Sequence, residues 1–262
     1  MLSGGQMLPF EYLRPLIVLT MLGYASYKDI KTREVNDVVW LVFGTSGLLL
    51  DLYEIVTGSM SLLDLAFPMG FMIVFALATG LLGFFGGADL LAFLALGLLQ
   101  PRPVSVFSSY IGFPPILFPL TLVSNAIFVS ASASILVLAL NLLSRKGGVS
   151  LFQGYGQEPA WKKIVMLISA RRMVIEKVSG PPFQYPLEYM DPETGELKLR
   201  LRPALDDDDK AAKTIAELRG SGHSWVWVSY AIPFLLALTF GYLVSITFGD
   251  ILVTLISMLF SG

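Results

Sequence analysis

Two aspartates, Asp29 and Asp89, are the side chains of this sequence best placed to do chemistry. Asp89 stands in Phe84-Phe85-Gly86-Gly87-Ala88-Asp89-Leu90, between the charge-free runs Leu65–Phe85 and Leu90–Leu99. A carboxylate beside hydrocarbon-compatible segments is costly, roughly 2.5 kcal/mol or more at a helix centre, so it marks a functional site by default. Asp29 sits in a similar setting, where the first apolar run gives way to Lys28-Asp29-Ile30-Lys31. Two carboxylates brought within hydrogen-bonding distance cannot both ionise cheaply, so they share a proton and form an acid–base pair. The ionised member takes a proton from a water that attacks an amide carbonyl. The protonated member donates to the carbonyl oxygen and later assists the leaving amine. Plainer roles compete: Asp89 as a helix cap at a membrane surface, or both aspartates as proton relays in a small proton-coupled transporter.

The elements that must position this pair belong to a membrane protein. The chain has 262 residues, 55% of them hydrophobic and only 15% charged, with a mean hydropathy of +0.70. A soluble domain carries about 25% charged residues, and several charge-free runs here reach the ~20 residues that cross a bilayer as a helix. With no cysteine and a single histidine, His223, thiol catalysis, disulfides and Cys- or multi-His metal sites are excluded. No cofactor or metal is expected, and no nucleic-acid partner.

The expected architecture is an all-α polytopic membrane protein of about six spans, with a soluble insertion, α+β or mostly irregular, before the last helix. Spans are expected near residues 7–27, 38–56, 62–85, 90–100, 116–143 and 225–248, followed by an apolar tail. Met1–Pro9 lacks a basic segment, so the first run reads as a retained span. Lys28, Lys31 and Arg33 after it, against Arg14 before it, put that loop in the cytoplasm and both termini outside. Lys28 and Lys31 are expected to hold this topology and to meet lipid phosphates, with a lesser prospect of tuning the pair. The run Leu90–Gln100 is about half a bilayer long, and Pro101-Arg102-Pro103 breaks it. Small residues four apart, Ala76/Gly80 and Gly83/Gly87, predict close helix packing. Residues 1–144 therefore form the part that carries both aspartates, 145–224 a cytoplasmic insertion, and 225–262 the last helix and tail. Within the insertion, an amphipathic helix is expected over 161–177, a hairpin around Asp191–Leu201 and a solvated acidic linker at Asp206–Asp209. His223 is expected in a loop, and Trp225 and Trp227 in an interfacial belt opening the last span.

Taken together, Gly86-Gly87-Ala88-Asp89 and Tyr27-Lys28-Asp29-Ile30-Lys31-x-Arg33-x-x-Asn36 resemble the membrane aspartyl proteases of the Gly-x-Gly-Asp type. The likeness is greatest to the archaeal prepilin and preflagellin peptidases, and it covers most of the membrane part. It implies cleavage of class III signal peptides, short basic leaders ahead of a hydrophobic helix, at the cytoplasmic face of the cell membrane. It also implies that Asp29 and Asp89 are catalytic and that Gly86, Gly87 and Ala88 shape the site. The pattern wants glycine where this chain has Ala88. The Cys-x-x-Cys pairs and N-methylation segment of many bacterial members are missing, so the resemblance implies peptidase without methyltransferase activity.

Overall fold

The computed structural model describes residues 9–82, 85–105, 109–144, 151–191, 194–201, 207–230 and 233–260. The Gly83 member of the small-residue pairs, Phe84 and the basic segment after Ser144 lie outside them, as do Pro192, Glu193 and Asp206. The chain forms two compact units, Met1–Ser130 with Pro233–Gly262, and Ala131–Ile232.

The first unit is helical: α1 (Pro9–Thr32), α2 (Asp37–Val56), α3 (Leu62–Leu81), α4 (Gly87–Leu99), the first half of α5 (Phe118–Ser144), α8 (Phe234–Thr247) and α9 (Ile251–Phe260). Helix starts follow capping chemistry. Asn36 accepts from the Val38 amide at the head of α2. At α3 the Ser61 hydroxyl accepts from Asp64 N–H, while the Asp64 carboxylate accepts from Ser61 N–H, so two otherwise orphaned donors are satisfied. By length and apolar composition α2, α3 and α5 can each cross a membrane, whereas α4, α8 and α9 are shorter apolar helices.

The unit is apolar outside as well as inside. Along α3, Leu62, Leu63, Phe67, Val74, Leu77 and Leu81 are all exposed, a surface that only lipid covers at low cost. The core gathers on α4, whose Ala92, Phe93, Leu96 and Leu99 are buried. Around it α1 contributes Val18, Met21, Leu22 and Ala25, α5 contributes Phe118 and Leu122, and α8 contributes Leu235, Leu238 and Tyr242. Helix approach is closest where side chains are absent: a Cβ on Gly47 would fall 2.8 Å from the Leu98 carbonyl carbon, and one on Gly80 2.8 Å from Leu90 Cδ1. Of the expected small-residue pairs, Ala76/Gly80 thus packs against a neighbour, while a Cβ on Gly87 would meet nothing within 4 Å.

The second unit carries a small sheet. β1 (Arg171–Val174), β5 (Trp225–Tyr230) and β2 (Gln184–Pro186) pair antiparallel in the order β1-β5-β2. β3 (Glu188–Met190) and β4 (Leu197–Leu199) form the expected hairpin. Two helices complete it, α6 (Ala160–Ser169) and α7 (Asp208–Gly220). β5 alternates as a strand must: Trp227 joins Tyr155, Met166 and Leu199 in one cluster, and Val226 and Val228 join Ile215 and Leu218 in another.

Three sequence expectations change. The acidic run is not a linker, because Asp207 caps α7 by accepting from the Lys210 amide, and Asp208 and Asp209 occupy its first turn. Carboxylates are stabilised there by the free N–H groups and the helix dipole. The last membrane helix does not begin at Trp225, since that stretch is β5 and α8 starts after Pro233, its N-cap. Trp227 is fully buried and stacks on Phe152 at 4.9 Å, while Trp225 stays exposed. The amphipathic helix stops at Ser169 rather than running on to 177. Helix and strand are hard to tell apart in a short apolar run such as Trp-Val-Trp-Val.

Candidate active site

Asp29 lies on the last turns of α1, beyond its apolar part, and Asp89 on the first turn of α4. Both are partly exposed, and they are close enough for the charge on Asp29 to act on Asp89. The two side chains singled out in the sequence thus lie within reach of each other's charge.

Asp89 also caps its own helix. Gly86 N–H donates to Asp89 Oδ2 at 3.1 Å, so the cap and the acid–base pair are not alternatives here. Gly86 and Gly87 are exposed. A Cβ on Gly86 would meet nothing nearer than Asp89 Oδ2 at 3.8 Å, and one on Gly87 would meet nothing. Neither glycine is needed for packing within the fold; what they leave is unobstructed main chain beside a carboxylate. Ala88, next to Asp89, is partly buried and packs on the core.

Around Asp29 the surroundings are more polar. The Arg33 guanidinium lies 3.6 Å from Asp29 Oδ1, an ion pair longer than a hydrogen bond, with both side chains less than one-fifth exposed. The amide of Leu235, in the first turn of α8 where backbone N–H groups have no helical partner, lies near enough to favour the charged form of Asp29. Arg33 has φ 60°, the left-handed conformation that a non-glycine residue adopts at a cost of roughly 1–2 kcal/mol. That turn ends α1, with Arg33 N–H bonding Asp29 O at 3.2 Å, and lets the side chain lie back against the acid. Sequence reasoning missed Arg33, although its offset of four from Asp29 is the spacing at which helical ion pairs form. Of the two lysines it favoured, Lys31 donates to Tyr27 OH at 3.0 Å. Lys28 makes no ion pair among the described residues.

Behind the pair, aromatic rings join the elements that carry it. Phe85, just before α4, lies 4.4 Å from Phe234 at the head of α8 and 5.4 Å from Phe93 between ring centroids. This apolar brace ties the Gly86–Asp89 turn to the helix whose amide reaches Asp29. His223 lies in the loop between α7 and β5, as expected, and lines an open cleft with Lys162 and Lys198.

The sequence matches two family profiles that together take in both units: Type IV leader peptidase family over residues 16–140, and Archaeal Peptidase A24 C-terminus Type II over 162–251. The chain thus carries a type IV leader peptidase domain followed by an archaeal peptidase A24 C-terminal domain. A preflagellin peptidase of Methanococcus maripaludis is 26% identical over 238 residues, covering 86% of this chain and 90% of the relative. One from Methanocaldococcus jannaschii is 27% identical over 239 residues, 86% and 89% of the respective chains. The profiles and relatives support a protease, and the apolar helices are long enough for a membrane protein.

Proposed function

We propose that the protein is a membrane-embedded aspartyl endopeptidase. It removes the short basic leader from prepilin or preflagellin precursors at the cytoplasmic membrane face, using Asp29 and Asp89 to activate water. The observation that carries this reading is the approach of two carboxylates, one of them paired with Arg33, beside unobstructed glycine main chain.

Two neighbouring acids most cheaply hold one proton between them, and Arg33, paired with Asp29 alone, gives the ionised state to Asp29. Asp29 is then the base. It takes a proton from water as the oxygen bonds to the scissile carbonyl carbon. Asp89 gives its proton to the carbonyl oxygen, producing a neutral gem-diol. The proton now on Asp29 goes to the nitrogen, the C–N bond breaks, and Asp89 recovers its proton from the collapsing diol. Leader acid, free amine and the starting protonation state result, with water consumed. Exposed Gly86 and Gly87 allow an extended substrate strand to approach the pair. The substrate fits this placement: a basic leader held at an anionic surface, followed by a helix that enters the bilayer, sets the scissile bond at the membrane edge.

The same reading takes about six spans with both termini outside, the soluble unit in the cytoplasm, lipids as constant neighbours and no methyltransferase activity. The test is cleavage of a preflagellin in proteoliposomes by wild type, Asp29→Asn and Asp89→Asn. Loss in both variants, with normal membrane accumulation, is expected; full activity in either ends the aspartyl reading.

A further inference from the structure

α6 is built the wrong way round for a soluble fold. A helix on a water-soluble domain turns its apolar stripe to the core. Here the core receives Met166, fully buried, while Trp161 is 57% exposed, Ile164 59% and Ile168 38%. Spacings of three and four residues put these three on one face. Among the described residues between 151 and 230, the only other large apolar side chain so exposed is Trp225.

The position of α6 says what covers that face. Asn141, on the last turn of α5, is 1% exposed and donates through Nδ2 to Leu167 O at 2.9 Å and Ala170 O at 2.7 Å. It therefore holds the C-terminal end of α6 against the end of α5. α5 is a charge-free apolar helix of 27 residues, about 40 Å long. By length and composition it can cross the bilayer, and its last turn, with Asn141, then lies at the exit. The end of α6 is thus pinned at the level where the membrane stops. Charges flank the apolar face in the way that suits lipid phosphates: Lys162 and Lys163 on the helix, Arg171 just after it, and Arg145-Lys146 following α5 in sequence. Lys162 is paired with Glu158 at 2.8 Å, which leaves Lys163 and Arg171 as the nearer cations for a headgroup. Ten residues are too few to span a bilayer, but an apolar face with basic edges and a tryptophan is what an interfacial helix needs.

We propose that α6 lies in the headgroup layer of the membrane that α5 crosses, with Trp161, Ile164 and Ile168 turned into the acyl boundary. The occupant of the exposed face is lipid, not a protein partner or a second copy. The soluble unit is then fastened to the membrane by a second contact besides its chain connections. This holds whatever the chemistry at Asp29 and Asp89.

The absence of cysteine in the chain permits a clean test. Single nitroxide labels are placed at Ile164→Cys and Ile168→Cys, with Ile135→Cys on the exposed side of α5 as a lipid reference and Lys213→Cys on α7 as a water reference. The full chain is reconstituted in phosphatidylcholine–phosphatidylglycerol vesicles, and collision with oxygen and with a water-soluble nickel chelate is measured. Labels at 164 and 168 are expected to favour oxygen as the one at 135 does, and to turn chelate-accessible in a Trp161→Ser/Ile168→Ser background read at 164. A label at 164 as chelate-accessible as that at 213 overturns the proposal. So does a label shielded from both reagents, because protein rather than lipid would then cover the face.

Discussion

The membrane unit holds two groups of acidic side chains, and it treats them oppositely. On α2, Asp51 and Glu54 are buried and met by two arginines. Arg14 Nη2 lies 2.7 Å from Asp51 Oδ1, Arg14 Nε lies 3.1 Å from Glu54 Oε1, and Arg102 pairs with Glu54. Arg14 also donates to Leu99 O at 3.0 Å, and Arg102 to Ser59 O at 3.0 Å. Charges cancel, and α1, α2 and the end of α4 are joined. About 22 Å further along α1, fifteen residues at 1.5 Å each, Asp29 pairs with Arg33, Asp89 has no ion pair among the described residues, and both remain partly open. A cancelled buried network holds helices; a half-buried pair with less compensation is what the proposed acid–base chemistry needs. The same sequence of helices thus separates a structural end from the proposed chemical one.

That contrast breaks most visibly under substitution of the acids. Asn at position 29 or 89 should slow leader cleavage by about 10²–10⁴-fold or more, the range for loss of a general acid or base. Thermal midpoint and membrane yield should barely move, as cleavage assays and thermal melts in detergent will show. Arg14→Ala should do the reverse. Leaving Asp51 buried without a partner, and Glu54 with Arg102 alone, costs about 3–5 kcal/mol, so yield and thermal midpoint should fall sharply. Replacing the buried group together (Arg14→Met, Asp51→Leu, Glu54→Met) should recover much of both, because Arg102 is 40% exposed at its side chain and can hydrate.

Arg33 sharpens the comparison at the chemical end. Asn tolerates the left-handed backbone, so Arg33→Asn removes the charge and keeps the turn. The acidic limb of the cleavage pH profile should move up by about 1–3 pH units, with Arg33→Lys lying close to wild type. A shift of the alkaline limb instead would reverse the roles given to the two aspartates.

The smallest effect concerns a buried carboxylate of the second unit, Glu188. Burial pushes Glu188 up to about 7, opposed by the Tyr155 hydroxyl, the Trp227 amide and the charge of Arg172. The folded pKa is raised above the unfolded one, so stability is full below about pH 4.5 and is lost as pH rises through about 7. Glu188→Gln should flatten this dependence and raise the thermal midpoint at pH 8, read by melts of the detergent-solubilised protein across that range.

How much of this could be read from the residues alone depends on how far apart the cooperating groups lie. Asp89 announces itself by its apolar neighbours, Asp29 by its place after the first span, and α2 and α3 by strong hydrophobicity over 20 residues each. Arg14 finds Asp51 and Glu54 across 37 and 40 positions, and no local pattern carries such a partnership. Arg33 is near Asp29 in sequence, but its contact depends on a backbone turn at φ 60° that its residue type disfavours. The acids at 207–209 look like mutual repulsion until the helix start that absorbs them is seen. β5 and α8 are both apolar, and what separates them is Pro233 and the strand pairing to β1 and β2, a tertiary outcome.

Because the two aspartates are held to work as one unit around one proton, their losses should not multiply. The decisive measurement is the cleavage rate of one preflagellin substrate by Asp29→Asn, Asp89→Asn and the double variant at equal membrane abundance. The account predicts three nearly equal residual rates. A double variant slower than each single by the other's full factor, or a single variant near the wild-type rate, would contradict it.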